Sequence, residues 1–161
     1  HPHHQRRHHA HPECRSTRQD PHRKASVITL FASAMISGRT TTIYGDGSAT
    51  RDYVYIDDVV TAFVCAAHAP ITTTGTFNIG TGVQTTLTEL HQLVAAEVGV
   101  SGPPDHAGSR TGEVHASALD PTRARRVLGW KPETKLTEGI SRTVDWLRAS
   151  LDHQASALAH V

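Results

Sequence analysis

The chain has 161 residues, of which 37% are hydrophobic, and this length suits one modest domain but not two. Its formal net charge of +1 gives no reason to expect binding to nucleic acid or to an anionic membrane surface, so a small ligand or a protein is the expected partner. No apolar run reaches the length of a membrane span, and no apolar segment of the signal-peptide kind follows the amino terminus, so we expect a cytoplasmic protein. The two cysteines, Cys14 and Cys65, lack the spacing of a disulfide framework or a metal site.

Residues 1–17 are rich in histidine, contain almost no apolar side chains and show neither helical nor strand periodicity. Such a segment cannot offset its ordering entropy by burial, so we expect it to be disordered. Histidine tracts sometimes bind transition metals, and a His-rich metal-binding protein is one alternative, which predicts zinc or nickel retention that is lost when residues 1–13 are deleted. No neighbouring structure is expected to hold a coordination geometry there, and we predict no metal site.

Residues 25–37 place apolar side chains at helical spacing before Gly38, which predicts an amphipathic helix. Residues 86–89 form a capping box that predicts the start of another helix. The positions expected to be buried on that helix are Leu87, Leu90, Leu93, Val94 and Val98. Two more helices are predicted, one that starts at Asp120-Pro121 and ends at Leu128, and one over residues 136–151.

The densest local pattern is TTTIYGDGSATRDYVYIDDVV, at residues 40–60. Residues 41–44 and 51–56 have the composition of strands, and residues 45–48 have the composition of a turn. This order predicts two strands joined by a glycine turn.

Strand side chains alternate between two faces, so Arg51, Tyr53 and Tyr55 are expected to project from the same side. A guanidinium beside two phenols suits an anionic ligand, although cross-strand packing is the alternative for Tyr53 and Tyr55 and is the preferred interpretation for Tyr55. Asp57-Asp58 is expected to end the strand and to cap a helix over residues 59–68. The apolar positions at helical spacing on it are Val59, Val60, Phe63, Val64 and Ala67.

A short strand is predicted at residues 76–79, followed by Gly80-Thr81-Gly82. This Gly-x-Gly is not a dinucleotide fingerprint, because Thr85 replaces the third glycine, and its glycines are expected only to turn the chain. Residues 99–109 are predicted to form a loop. The charge run at Arg123, Arg125 and Arg126 is expected to be a solvated face.

IYGDG and TRDYVYIDDVV, with the later NIGTG, resemble the C-terminal half of the extended short-chain dehydrogenase/reductases, most closely the UDP-glucose 4-epimerase branch of the NAD-dependent epimerase/dehydratase family. The resemblance implies an α/β fold, namely the substrate-binding portion of a Rossmann-like NAD(P)-binding fold without the N-terminal Rossmann half. The expected organisation is a disordered segment over residues 1–17, a nucleotide-sugar-binding region over residues 18–151 and a tail over residues 152–161.

The family reaction inverts the C4 hydroxyl of a UDP-hexose by transient oxidation, and the resemblance implies a binding site for the UDP-sugar. Arg51 and Arg110 are expected to bind the diphosphate, with Tyr53 lining that site. Glu113 is expected to accept hydrogen bonds from the ribose hydroxyls, and Tyr44 to lie against uracil. The resemblance also implies that the helix over residues 25–37 walls this pocket, and plain core packing explains its apolar stripe equally well.

The chain contains neither the family's Gly-rich NAD fingerprint nor its Tyr-x-x-x-Lys pair, because Ser48, Asp57 and Val59 stand four residues after the three tyrosines. We therefore assign no catalytic and no cofactor-binding residue. NAD is expected for the full-length family enzyme but not to be bound by this chain alone, and we expect a truncated protein that is inactive alone. The alternatives are a subunit completed by a separate NAD-binding chain, a homodimer, and a non-catalytic nucleotide-sugar sensor.

Overall fold

The computed structural model describes residues 26–109, 112 and 114–158. Within these ranges the chain forms five helices and four short strands. In order they are α1 (Val27–Ile36), β1 (Thr42–Tyr44), β2 (Thr50–Arg51), α2 (Ile56–His68), β3 (Thr85–Thr86), α3 (Leu87–Val98), β4 (Asp105–Ala107), α4 (Thr122–Leu128) and α5 (Leu136–Leu158). The predicted α/β class is confirmed. The segment over residues 1–17, for which disorder is expected, lies outside the described residues.

Helices α1, α3 and α5 pack together with β1 to form the main core. Its buried members are Phe31, Ala32, Met35, Ile43, Leu90, Val94, Ala95, Ile140, Val144 and Leu147. Helices α1 and α3 are both capped by hydroxyls at their starts: Ser26 accepts from the amide of Thr29, and Thr86 accepts from the amide of Glu89, as the capping box predicts. Of the five positions expected to be buried on α3, two are fully buried and three pack partly buried against this core.

The predicted hairpin is wrong, because β1 and β2 do not pair with each other. Strand β1 pairs in parallel with β4, and β2 pairs antiparallel with β3. The turn between β1 and β2 carries two glycines in the left-handed region, Gly45 with φ 76° and Gly47 with φ 80°. It turns the chain away from β1, and the carbonyl oxygens of Gly47 and Ala49 accept hydrogen bonds from the first amides of α3. These backbone groups are thereby satisfied without a hairpin.

Strand β4 lies inside the segment that the sequence predicts to be a loop, and its pairing with β1 explains the difference. Conversely, no strand forms at residues 76–79. A strand requires a ladder partner, and the described residues contain no strand paired with this segment. Phe77 and Ile79 instead pack against a second, smaller core of Ala62, Ala124 and Trp130.

Helix α2 begins at Ile56, and its N-cap residue, Tyr55, makes no side-chain cap hydrogen bond. The prediction that Asp57-Asp58 caps this helix is therefore wrong, since both lie in its first turn. The Asp58 carboxylate is buried and accepts from the amides of Glu133 and Thr134, each at 3.1 Å. It therefore joins α2 to the segment that precedes α5.

Four apolar side chains along α2 are exposed to solvent and form what we call the α2 stripe. They are Ile56, Val60, Phe63 and Val64, with exposed fractions of 61%, 52%, 72% and 51%. Their spacing places them on one side of the helix, whereas Asp58 and Ala62 are buried on the other. The helical spacing of the sequence is therefore present, but its apolar side faces solvent.

Helix α5 continues to Leu158, beyond the predicted end near residue 151. Its buried apolar side chains are Ile140, Val144 and Leu147, which recur at helical spacing. The arginine run on α4 is exposed, as expected for a solvated face. None of the helices within the described ranges is long and apolar enough to cross a membrane.

Candidate functional site

A cleft of about 410 Å³ lies beside β1, between α1 and the segment that follows β2. Three residues of the predicted site, Tyr44, Arg51 and Tyr53, line it together. The other lining residues are Val27, Leu30, Phe31, Ala34, Thr40, Thr41, Thr42, Ile43 and Leu87. Helix α1 therefore walls the cleft and fills the core at once, because Phe31 belongs to both. The cleft is mostly apolar, with one cation and two phenol rings in its lining.

Arg51 stands at the end of β2, which is held on two sides. Its register places Arg51 opposite Thr85 of β3. On the other side, the amide of Thr50 donates to the carbonyl of His115, and the amide of Ser117 donates to the carbonyl of Thr50. The Arg51 guanidinium donates to that same Thr50 carbonyl, with Nη1 at 2.7 Å from the oxygen. The backbone therefore fixes the stem of the arginine, and part of its head, beside the cleft.

The Tyr53 ring lines the cleft, but its hydroxyl is buried and has no hydrogen-bond partner among the described residues. Burial raises the pKa of the Tyr53 phenol above its ordinary value, and the nearby Arg51 charge offsets part of the rise. In this conformation Tyr53 presents its ring to the cleft, while its hydroxyl is buried and not accessible to a ligand.

Tyr55 does not line the cleft, so the prediction that it shares a face with Arg51 and Tyr53 fails at this residue. The regular strand ends at Arg51, and Tyr55 becomes the N-cap residue of α2. Its ring lies beneath the guanidinium of Arg142, 5.5 Å from the ring centroid, and against Gly139 of α5. The cross-strand packing preferred for Tyr55 from the sequence is therefore wrong in its partner, because Tyr55 packs against helix α5 and not against a strand.

Arg110 and Glu113 lie outside the described residues, but both ends of their segment are described. Ala107 is paired with Tyr44, and Nδ1 of His106 lies 2.8 Å from the carbonyl oxygen of Gly45. At the other end, His115 is hydrogen-bonded to Thr50. The segment therefore leaves β4 beside Tyr44 and returns beside the start of β2.

Asp52 is the functional candidate that the sequence prediction missed. Its carboxylate accepts from the Thr81 amide at 2.9 and 3.0 Å, from the Thr81 hydroxyl at 2.5 Å and from the Gly82 amide at 2.9 Å. It also accepts from the Leu119 amide at 3.2 Å. Burial opposes its negative charge, but these donors outweigh burial and lower the pKa of Asp52. The available signal was an aspartate on the strand face opposite Arg51, together with a glycine turn rich in amide donors.

The Gly80-Thr81-Gly82 turn is built around this carboxylate. A Cβ on Gly80 would stand 2.6 Å from Oδ2 of Asp52 and 2.9 Å from Cβ of Leu119, so the position has room only for glycine. Gly82 has φ 78°, which favours glycine as well. Because the turn's amides already bind Asp52, they are not available to a dinucleotide pyrophosphate, and these residues do not fit NAD. Across all the residues that the structure describes, no group of three or more His, Cys, Asp or Glu side chains could hold a metal ion.

The described fold is that of the C-terminal part of the extended short-chain dehydrogenase/reductases, the class of its structural neighbours. Within this class the chain belongs to the NAD-dependent epimerase/dehydratase family, since the family model described as GDP-mannose 4,6 dehydratase matches residues 13–143.

The similar proteins include several UDP-glucose 4-epimerases. The chain is 51% identical over 131 residues to that of Mycolicibacterium smegmatis, a match that covers 81% of this chain and 42% of the relative. The structure of the Thermotoga maritima enzyme with UDP-glucose has a TM-score of 0.77 and 41% identity, covering 83% of this chain and 43% of that one. The Thermus thermophilus enzyme, solved with NAD, has a TM-score of 0.70 and 36% identity, covering 81% and 42%. The chain thus spans less than half the length of these relatives.

Proposed function

We propose that this chain is the UDP-sugar-binding part of an enzyme similar to UDP-glucose 4-epimerase. One observation carries the proposal: Tyr44, Arg51 and Tyr53 line a single cleft. Arg51 supplies a cation for a diphosphate, and the two rings supply flat apolar surface for a base and for the ligand's less polar parts. The similarity to an epimerase solved with UDP-glucose supports the choice of ligand.

Arg110 and Glu113 complete the proposed site. Their segment is anchored beside Tyr44 at one end and beside Thr50 at the other, both next to the cleft. From there Arg110 joins Arg51 on the diphosphate, and Glu113 accepts from the ribose hydroxyls. Tyr44 then stands against uracil. The two arginines approach the diphosphate from different segments, which makes binding depend on the fold and not only on local charge.

The role proposed for this chain is binding and orientation, without a catalytic residue of its own. C4 inversion in a UDP-hexose proceeds by transient oxidation and needs NAD, for which the described residues offer no fitting site. The three tyrosines lack a lysine four residues later, so the family's proton-transfer pair is absent from the chain. We propose that the chain alone does not turn over substrate and that an NAD-binding part, in the same polypeptide or in a separate chain, supplies the chemistry.

The α2 stripe is the surface that we propose for contact with that NAD-binding part. A helix with four exposed apolar side chains in a row is the surface expected where a neighbouring layer packs. The relatives have more than twice the matched length, so they contain further chain that can cover such a surface. A homodimer contact at the same stripe is the competing occupant.

The test is a thermal melt with and without UDP or UDP-glucose, on the parent, Arg51→Ala and Arg110→Ala. At a UDP concentration tenfold above Kd, linkage adds about 1.4 kcal/mol to the unfolding free energy and raises Tm by about 3–6 °C. Each arginine variant is expected to lose most of this shift. Arg126→Ala is the matched control, because Arg126 is exposed on α4 and does not line the cleft. A parent protein that melts cooperatively without any ligand shift would overturn the proposal.

A non-catalytic nucleotide-sugar sensor is the second candidate, favoured by the missing Tyr-x-x-x-Lys pair. A sensor is expected to show the same ligand-dependent rise in Tm, so a second experiment, reconstitution of activity, is needed to tell the two candidates apart. If the α2 stripe docks an NAD-binding part, adding that part of a relative restores C4 inversion of UDP-glucose in a mixture. A sensor binds UDP-glucose but stays inactive in that mixture.

A further inference from the structure

Asp52 stands between two residues of the proposed site, Arg51 and Tyr53, yet it does not line the cleft. Its carboxylate turns to the opposite side of the chain and accepts from three backbone amides and one hydroxyl. The donors come from two distant segments, Thr81 and Gly82 in the glycine turn and Leu119 before α4. One side chain therefore fixes three stretches of the chain at a single point.

Two of those stretches bear directly on the cleft. Among the residues that the structure describes, none forms a strand pair with residues 52–53, and the hydrogen bonds of Asp52 hold this stretch in place of a ladder. Residues 115–117 bond to Thr50 on the same stretch, and the contact of Leu119 with Asp52 continues that attachment. Residues 115–119 are thus held against the stretch that carries Arg51.

We propose that Asp52 is a positioning residue for the nucleotide-sugar site: its carboxylate fixes the backbone from which Arg51 and Tyr53 reach the cleft and ties Leu119 to that backbone. This inference rests on the proposed function. It assigns Asp52 no contact with the ligand. Its effect is transmitted through Arg51 and the backbone on either side.

The sign of the charge effect separates positioning from simple electrostatics. A carboxylate next to a diphosphate-binding arginine opposes an anionic ligand, so removing its charge should tighten binding if charge alone matters. In Asp52→Asn the size is kept, but an NH₂ group replaces one acceptor oxygen and faces amide donors. Weaker binding in Asp52→Asn therefore has the opposite sign to the charge effect, and the comparison with Asp58→Asn separates lost positioning from a general loss of structure.

The experiment measures the Kd of UDP by calorimetry at a temperature where circular dichroism shows each variant to be folded. Asp52→Asn is expected to weaken binding about tenfold or more, because displaced binding groups lose affinity steeply. Asp58→Asn is the matched control, since Asp58 also accepts from two backbone amides but lies outside the cleft. It is expected to lower Tm and to change the Kd less than twofold.

A double-variant cycle tests the route of the effect. If Asp52 acts largely through Arg51, Asp52→Asn weakens UDP binding less in the Arg51→Ala background than in the parent, and equal weakening in both backgrounds would contradict this route. If Asp52→Asn does not fold, Thr81→Val and Thr81→Ser replace it: the valine lacks the hydroxyl donor and should weaken binding, while the serine keeps it and should restore the Kd.

Each outcome is decisive. A parent that binds UDP with Asp52→Asn at the same or a tighter Kd overturns the positioning role and leaves the proposed function intact. Equal weakening by Asp52→Asn and Asp58→Asn also overturns it, because that result shows a general loss of structure. A parent without UDP binding overturns the proposed function, and the role of Asp52 with it.

Discussion

Nε2 of His91 lies 2.7 Å from the hydroxyl oxygen of Thr41 inside the main core, and both side chains are buried. The imidazole also meets the Phe31 ring in an edge-to-face arrangement, with ring centroids 5.3 Å apart. Thr41 directly precedes β1, the strand that ends at Tyr44. A titratable group thus supports the strand beside the proposed ligand site.

Acidification is expected to destabilise the protein through His91. Burial lowers the pKa of His91 in the folded state below its ordinary value near 6.5. The unfolded chain therefore binds more protons at this position, so stability is full above about pH 6.5 and falls as pH drops below it. His91→Gln removes the titration and keeps a polar partner for Thr41. Urea unfolding at pH 7.5 and 5.5 should show a smaller acid loss in His91→Gln than in the parent, and equal losses would contradict the prediction.

The buried hydroxyl of Tyr53, which has no hydrogen-bond partner in the described part of the chain, gives a second prediction. A buried hydroxyl without a hydrogen bond costs about 1–3 kcal/mol, so Tyr53→Phe should leave the unfolding free energy unchanged or raise it by about 1 kcal/mol. The ring remains in the cleft, so the Kd of UDP should change less than twofold. Tyr53→Leu is the comparison, because it removes the ring as well and should weaken binding. Weaker UDP binding by Tyr53→Phe would mean that the hydroxyl rearranges to contact the ligand.

Local signals in the sequence predicted most helices and part of the site, because caps and apolar spacing act within a few residues. The capping box at residues 86–89 begins α3 at Thr86, and α4 ends at Leu128, as the sequence predicts. Strand pairing, unlike helix formation, cannot be predicted from signals within a few residues. Whether residues 42–44 pair with residues 50–51 or with residues 105–107 depends on a turn with two left-handed glycines and on a partner distant in sequence.

The residues of the candidate site also differ in whether local sequence patterns predict them. Alternation along a strand placed Arg51 and Tyr53 on one cleft, but it failed at Tyr55 because the regular strand ends before that residue. Asp52 was missed because its donors are 29 to 67 positions away in the sequence. Hydrogen bonds of this range depend on the tertiary fold, so the aspartate and the glycine turn are visible in the sequence, but their meeting in the structure is not.

Gly80→Ala is expected to destabilise the protein by about 1–3 kcal/mol, since the new Cβ would meet Oδ2 of Asp52 at 2.6 Å and Cβ of Leu119 at 2.9 Å. Gly108→Ala is a matched control, because a Cβ there meets nothing within 4 Å. Its unfolding free energy should stay within about 0.5 kcal/mol of the parent. Urea unfolding measures both. Equal unfolding free energies of the two variants would contradict the prediction, because they would show that Asp52 and Leu119 can move away from a new Cβ without loss of stability.

The α2 stripe predicts self-association of the isolated chain. Val60 and Phe63 are exposed, so replacing both with lysine should leave the unfolding free energy within about 0.5 kcal/mol per substitution and raise the concentration at which the chain associates. Thr61→Lys with Ala66→Lys is the matched control, because it adds the same charge to exposed positions of α2 outside the stripe. Sedimentation velocity across a concentration series measures the change. Equal effects of the two pairs would assign the change to charge, and an effect confined to Val60 and Phe63 would identify the α2 stripe as the contact surface.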